Sequence, residues 1–122
     1  ILEPGGTIIM VSECSEGLGS AHFQDAQRRL VALGVEAFAE SLSHKELADI
    51  DEWQTEMQLK PMRVGTIRLY TTGLDADDLL LTGVEPTASV EAAVLTSIAE
   101  HPGAVAVIPE GPYVIPRYRP AG

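Results

Sequence analysis

Residues 4–20 read Pro-Gly-Gly-Thr-Ile-Ile-Met-Val-Ser-Glu-Cys-Ser-Glu-Gly-Leu-Gly-Ser, and this segment indicates the fold class. Thr7–Val11 is β-branched and apolar, as in a buried strand, and a polar loop with two glycines follows it. Ser20 is a suitable N-cap for a helix over 21–33, and Gly34 is a suitable residue to end it. A buried strand that leads through a loop into an amphipathic helix is the unit from which α/β layer folds are built.

Strands and helical segments continue to alternate beyond this unit. Strand patterns occupy 66–71 and 104–108, the second of strongly buried type, with short strands within 84–87 and at 113–116. The predicted helices after the first are 35–41, 49–59, 74–81 and 90–100, the last two capped by Asp75 and Ser89. This alternation predicts one layered α/β domain over residues 1–122, with a small, mainly parallel sheet flanked by helices.

The composition restricts the class of partner. The chain has 122 residues, 45% of them hydrophobic, and a net charge of −10 from 18 acidic and 8 basic residues. Such a charge repels nucleic acids and anionic membranes, and no apolar stretch approaches the roughly 20 residues of a membrane span. The single cysteine, Cys14, excludes an intrachain disulfide and favours a cytoplasmic location. Because no initiator methionine precedes Ile1, we expect the chain to be a piece of a larger protein.

The loop after the first strand is the main candidate site. Ligands of open α/β sheets bind at the carboxyl ends of strands, and the free N–H groups of the following helix can hold an anion. The loop lacks a dinucleotide fingerprint because His22 stands where the third glycine is needed, and its two glutamates oppose a pyrophosphate. Two interpretations remain open, a tight connection and a substrate-facing loop. The candidate residues are Glu13, Ser15, Gly17 and Gly19.

The other reactive residue types give no specific pattern. Cys14 has no histidine at a spacing that would pair with it as a base, so a structural role is favoured over a nucleophilic one. The three histidines have no metal-ligand spacing, and no metal site is predicted. Trp53 shares helical spacing with Ile50 and Met57, which favours a core position. The alternative is that its indole, among carboxylates and amides, lines a cleft or faces another domain.

Several segments together resemble the C-terminal domain of the nickel-dependent lactate racemase family. The resemblance rests on the order and spacing of motifs along nearly the whole chain, each of them weak alone. They are Pro4–Val11, Glu13–Gly19, Asp51-x-Trp53, the strand 66–72, the helix opening Thr87–Ala93 and Val107–Pro112.

The resemblance implies a two-domain enzyme with its active site between the domains. The larger N-terminal domain of the family carries a nickel-pincer nucleotide, the lysine bonded to it, a nickel-ligating histidine and two acid–base histidines. The implied reaction removes a hydride from a 2-hydroxy acid and returns it to the other face. By this resemblance no catalytic residue, nickel or cofactor belongs to the present chain, whose partners are the N-terminal domain of the same polypeptide and the small substrate.

Few residues transfer from the family to this chain. Trp53 matches a tryptophan near the cleft, and Glu13–Gly19 matches the loop at the strand end. The loop differs from the lactate racemase pattern Asp-Gly-His-Gly-Gly because Leu18 replaces the histidine, which argues for another 2-hydroxy acid. The implied function is a lid that completes the substrate pocket of a racemase or epimerase and is inactive alone. The alternatives are a non-catalytic α/β ligand- or protein-binding module and, last, an acyl-transfer hydrolase, which lacks the G-x-S-x-G elbow.

Overall fold

The computed structural model describes residues 2–115 and 117. Within them the strands are β1 (Thr7–Val11), β2 (Thr66–Tyr70) and β3 (Glu85–Pro86). The helices are α1 (Ala21–Leu33), α2 (Val35–Ser43), α3 (Glu52–Val64), α4 (Ala76–Leu81) and α5 (Val90–Glu100), followed by a 3-10 turn at Gly111–Tyr113. No helix in this described part of the chain combines the length and the apolar character needed to cross a membrane.

The three strands form one parallel sheet in the order β1-β2-β3. Thr7 lies opposite Thr66 and Val11 opposite Tyr70, while Arg68 lies opposite Glu85 on the far side of β2. Parallel neighbours need crossover connections, which the helices supply. The predicted α/β class with a small parallel sheet is therefore confirmed.

The helix starts follow the local signals of the sequence. The side chains of Ser20, Asp75 and Ser89 each accept a hydrogen bond from the backbone N–H three residues later. Each bond satisfies one of the N–H groups that a helix leaves without an intrahelical partner. Gly34 ends α1 with a positive φ of 80°, a conformation that glycine adopts without strain. The predicted caps of α1, α4 and α5 are confirmed, and α4 begins at Ala76 rather than at residue 74.

The helical core lies where α1, α2 and α3 meet. Leu30, Phe38 and Leu59 are its buried centre, with Val35, Ala39, Leu42 and Met62 packed around them. Buried polar side chains accompany this core at the interface of α1 and α3, namely Gln27, Glu52 and Thr55. Gln27 donates to the Thr55 hydroxyl at 3.4 Å and to Oε1 of Gln58 at 2.9 Å, so the interface is partly held by hydrogen bonds.

The sheet carries helices on both faces. Arg68 in the central strand lies 3.5 Å from Glu100 of α5, which places α5 on the Arg68 face. The neighbouring Ile67 and Leu69 are buried and point to the opposite face, because successive side chains of a strand alternate. Helix α3 contacts β2 and Met62 lines a cleft with Ile67, so α3 covers that second face, with α1 packed against α3.

Three sequence predictions about burial and strands are wrong. β1 is half-exposed rather than buried, with Met10 and Val11 open to solvent, because β2 is its one partner strand among the described residues. Residues 104–108 are exposed and outside the sheet, although their apolar sequence is typical of a buried strand. Residues 113–115 do not form an edge strand, since a 3-10 turn covers Tyr113; Pro116 lies outside the described residues.

The helix around Trp53 is also displaced from its prediction. It begins at Glu52 rather than Asp49 and continues through Pro61 to Val64. A proline removes the hydrogen bond to the carbonyl four residues earlier, here that of Met57. Because Met57 lies on the exposed side of the helix, water can solvate that carbonyl and the helix continues.

Candidate functional site

The predicted site loop stands at the carboxyl edge of the parallel sheet. It leaves β1 at Ser12, whose N–H donates to Tyr70 O at 3.0 Å, and turns where the Gly17 N–H donates to Cys14 O at 3.0 Å. Cys14, Gly17 and Gly19 all have positive φ values. Glu13, Ser15, Gly17 and Gly19 are exposed, so all four predicted loop residues are accessible to a ligand.

The end of β2 holds this loop in place. The Thr71 hydroxyl donates to Glu13 O at 2.9 Å and accepts from the Gly73 N–H at 3.2 Å. A side chain on Gly73 would have its Cβ only 2.2 Å from Glu13 O, closer than real contacts permit. Gly73 therefore allows the backbones that follow β1 and β2 to approach closely, which gives the loop a fixed position.

A side-chain hydrogen bond joins the end of the loop to the start of α3. Ser20, which caps α1, donates its hydroxyl proton to Oδ2 of Asp51 at 2.5 Å. Gln54 donates to the other carboxylate oxygen of Asp51 at 3.3 Å. Because Asp51 lies two residues before Trp53, this bond fixes the segment that carries the tryptophan beside the end of the loop.

Trp53 is exposed, so the predicted core position is wrong. Its side chain is 61% exposed, and Ile50 and Met57, which share its helical spacing, are also exposed. These three residues form what we call the exposed stripe. The alternative interpretation, an indole that faces a cleft or another domain, is the one compatible with this position.

The opposite side of α3 carries a buried ionic cluster. Glu52 is 2% exposed and accepts from Arg29 at 2.6 Å and from Lys45 at 2.9 Å, and it also accepts from the Asp49 N–H. Lys45 and Arg29 reach Asp49 as well. Burial raises the pKa of Glu52, but the hydrogen bonds from Lys45, the Asp49 backbone and Arg29 outweigh it and hold that pKa at about 2. Hydrogen bonds to Asp49 and Glu52 raise the pKa of Lys45.

The sequence did not identify Glu52 as buried. Its signal is present: Glu52, Thr55, Leu59 and Met62 recur at spacings of three and four, as one face of a helix does. The apolar residues Ile50, Trp53 and Met57 follow the same period on another face and were the more obvious choice for the core. Partners for Glu52 come from distant positions, Arg29 and Lys45, so local periodicity could not favour the polar face.

Two shallow clefts are present outside the loop itself. One of about 400 Å³ runs between α1 and the segment before α3, lined by residues that include His22, Arg29, Asp49 and Ile50 of the exposed stripe. Arg29 is already engaged by Asp49 and Glu52, so its charge there is neutralised. The other, about 360 Å³, lies at the amino end of β2 and β3. Neither cleft contains any of the five predicted site residues.

The loop does not fit a nickel-bearing nucleotide. Glu13 and Glu16 add negative charge that would repel its phosphate. The Cys14 thiol, a suitable soft ligand in principle, donates to Ser12 Oγ at 3.4 Å instead. Among the residues that the structure describes, no group of three or more histidine, cysteine and acidic side chains is placed to share a metal ion.

Most of the cationic side chains that the structure describes take part in ion pairs. Of these seven lysines and arginines, five are paired: Arg28, Arg29, Lys45, Arg63 and Arg68. The loop itself contains none. A carboxylate ligand at this edge would therefore be held by backbone N–H groups at the start of α1 or by a cation from outside the chain.

Comparison with known proteins gives no match to this chain among protein families, curated proteins or solved structures.

Proposed function

We propose that this chain is the lid and substrate-pocket domain of a cytoplasmic 2-hydroxy acid racemase or epimerase. The catalytic groups and the nickel-pincer nucleotide belong, in this proposal, to another domain of the same polypeptide. The observation that carries the proposal is the Ser20–Asp51 hydrogen bond, which joins the residue after the loop Glu13–Gly19 to the segment that carries Trp53.

In this proposal the chain contributes a fixed wall and an apolar cover to the substrate pocket, rather than a charge that binds the substrate. The loop is anchored by Thr71 and Gly73, so it can form a fixed wall of the pocket. Beside it, the exposed stripe of Ile50, Trp53 and Met57 offers apolar surface that a second domain can cover. Covering this surface would exclude water from the substrate, as lids do in other enzymes.

The acidic loop also defines what the other domain must supply. Glu13 and Glu16 disfavour the substrate carboxylate, and the loop has no cation to offset them. The substrate carboxylate would therefore be bound by a lysine or arginine of the other domain. When bound there, the nucleotide cofactor supplies the hydride chemistry, while this chain orients the substrate and excludes water.

The complete encoded polypeptide, loaded with nickel, provides the test. We expect it to interconvert the enantiomers of at least one 2-hydroxy acid in a panel of small, branched and acidic substrates, measured by chiral chromatography. We expect no turnover from the 122-residue chain alone. A polypeptide that lacks a second domain with the lysine and histidines, or that leaves the whole panel unchanged, would contradict the proposal.

Two variants of similarly exposed residues test whether the contribution to catalysis is specific to Trp53. Trp53→Ala should lower kcat/KM of the complete enzyme, because it removes apolar surface at the pocket edge. Leu95→Ala serves as control, since Leu95 is 62% exposed, much like Trp53, but lies on α5. Equal losses from both variants would argue against a special role for Trp53.

The second candidate function is a non-catalytic ligand- or protein-binding module. The exposed stripe is the observation that favours it, because an apolar surface can equally dock a separate protein. The two functions differ in the encoded neighbour of this chain. A neighbouring domain with the lysine and histidines supports the racemase, and any other neighbour supports the module.

A further inference from the structure

None of the residues that the structure describes forms a strand on the outer edge of β1, which we call the open edge. Thr66 donates to Gly6 O and Ser12 donates to Tyr70 O, both at 3.0 Å, at the two ends of the β1–β2 ladder. In a parallel ladder alternate residues turn both their N–H and C=O groups to the same side. The even-numbered residues of β1 therefore face β2, and Thr7, Ile9 and Val11 present their backbone groups to the open edge. Such an edge is a template for a further strand.

The position of α5 determines where the next strand belongs. The connections from β1 to β2 and from β2 to β3 step across the sheet in one direction. Their helices lie on the α1–α3 face, since α4 contacts α1. Helix α5 lies on the opposite face, where Glu100 reaches Arg68 and where the helix contacts β1.

The handedness of crossover connections determines on which side of β3 the strand after α5 lies. Nearly all parallel crossover connections are right-handed, so a helix on the opposite face requires a step in the opposite direction. The strand after α5 must therefore lie on the β1 side of β3. Since β2 and β1 already occupy the first two positions on that side, the first free position is the open edge of β1.

We propose that Ala104–Ile108, undocked in this structure, is a strand that closes onto the open edge of β1. It would be the fourth parallel strand, in the order 104–108, β1, β2, β3. The chain leaves α5 near the start of β1, where a parallel strand must begin. The Cε1 atom of His101, just after α5, lies 3.5 Å from the position that a Cβ on Gly5 would occupy. From there 104–108 can run parallel to β1 over an equal length of five residues.

The segment has the chemistry of an added strand. It contains two valines and an isoleucine and no proline, so each N–H that faces β1 can donate to the ladder, and Pro109 stops it. All five residues are exposed, Val107 to 84%, which is unfavourable for side chains of this type. Closure would cover these side chains and the exposed end of β1 together.

Closure would also create a crevice at the candidate site. β1 would then stand where the order of strands reverses, and in open α/β sheets ligands bind at that point, outside the carboxyl ends of the strands. The residues that follow the two adjacent strands are Glu13–Gly19 and Pro109–Gly111, so Pro109–Gly111 would form the second wall of the pocket. The identity of the substrate there rests on the proposed function, whereas closure of the strand does not.

Amide hydrogen exchange measured residue by residue by NMR on the 122-residue chain tests closure. We expect Thr7, Ile9 and Val11 to be protected together with Val105 and Val107, whose N–H groups face β1 when 104–108 and 7–11 lie in register. Ile8 and Met10, which bond to β2, report that the sheet is folded. Free-peptide exchange at Thr7, Ile9 and Val11, with Ile8 and Met10 protected, would overturn the proposal.

A proline variant makes the test specific. Val107→Pro removes a donor whose N–H faces β1 when the five residues of each strand lie in register, so protection of Ile9 and Val11 should be lost while Ile8 and Met10 keep theirs. Val107→Thr, which keeps the N–H and the β-branched shape, is the control and should retain protection at all four. Protection that rises with protein concentration together with a dimeric mass would assign the strand to a second copy and overturn intrachain closure. None of these measurements depends on catalytic activity, so they remain informative if the proposed function fails.

Discussion

The two sides of α3 contrast in polarity. The side that faces α1 buries Glu52 and Thr55 beside Leu59, whereas the side that faces solvent carries Trp53 and Met57. An ordinary surface helix buries apolar residues and exposes polar ones. Helix α3 departs from this pattern at Glu52 and Thr55, which are buried, and at Trp53 and Met57, which are exposed, whereas Gln54, Glu56 and Lys60 are exposed as usual. The buried side therefore holds this domain together, and the exposed side presents two large apolar side chains to solvent.

Removing buried apolar volume from α3 should have the largest effect. Leu59→Ala leaves a cavity beside Leu30 and Phe38, and we expect the free energy of unfolding to fall by about 3 kcal/mol. Met57→Ala, on the exposed side of the same helix, is the control and should change it by less than about 0.5 kcal/mol. Urea denaturation measures both. Similar losses from the two variants would mean that the sides of α3 do not differ as described.

The buried ionic cluster should contribute somewhat less. Glu52→Ala leaves Arg29 and Lys45 without their shared carboxylate, and we expect a loss of about 2 kcal/mol. This figure lies below that for fully buried pairs because both cations remain partly exposed and keep Asp49. Glu56→Ala, which removes an exposed carboxylate from the same helix, should be nearly neutral. A neutral Glu52→Ala variant in urea denaturation would show that the cluster adds no net stability.

Lowering the pH should remove the contribution of the ionic cluster to the free energy of unfolding without a large change in packing. The pKa of Glu52 is about 2 in the folded chain, below the ordinary 4.5, so folding favours its charged form. Its contribution is therefore complete above about pH 4.5 and is lost as the pH falls toward 2. Arg63 lowers the pKa of Glu36 through a side-chain hydrogen bond and adds a loss of the same sign.

The comparison with Glu52→Gln isolates this contribution. We expect the stability of the wild type and of this variant to differ most above pH 5 and to converge as the pH approaches 2, measured by urea denaturation across the range. Parallel curves over the whole range would contradict the lowered pKa of Glu52.

Substitution of Trp53 should give the smallest change in the free energy of unfolding. Trp53→Ala should alter the free energy of unfolding of this chain by less than about 0.5 kcal/mol, because the indole is exposed. A buried tryptophan would cost about 3–5 kcal/mol on the same substitution. Trp53 is the only tryptophan of the chain, so acrylamide quenching of its fluorescence gives an independent measure of exposure. Weak quenching would place the indole in the interior.

Local signals predicted the helix caps and the central strand correctly, but not the strands at 104–108 and 113–116. The helix caps Ser20, Asp75 and Ser89 lie where the sequence indicated, because a cap depends only on residues within one turn. The alternation of β2 is equally local, and Ile67 and Leu69 are buried as their period requires. The parallel sheet followed from the alternation of strands and helices.

Features that depend on distant residues were not predictable in this way. The buried side of α3 is decided by Arg29 and Lys45, so the apolar spacing of Ile50, Trp53 and Met57 indicated the wrong side. The loop Glu13–Gly19 was expected at the sheet edge from local sequence. Its link to Trp53 depends on the Ser20–Asp51 bond across 31 positions, for which the sequence gives no local signal.

Oxidative footprinting of Trp53 and Met57 by mass spectrometry, in this chain alone and in the complete encoded polypeptide, tests most directly whether the exposed stripe is covered by a second domain. Leu95 on α5 is the internal control. The proposed function predicts strong modification of both stripe residues in the isolated chain and clear protection in the complete polypeptide, with Leu95 unchanged. Equal modification of Trp53 and Met57 in both samples would contradict it.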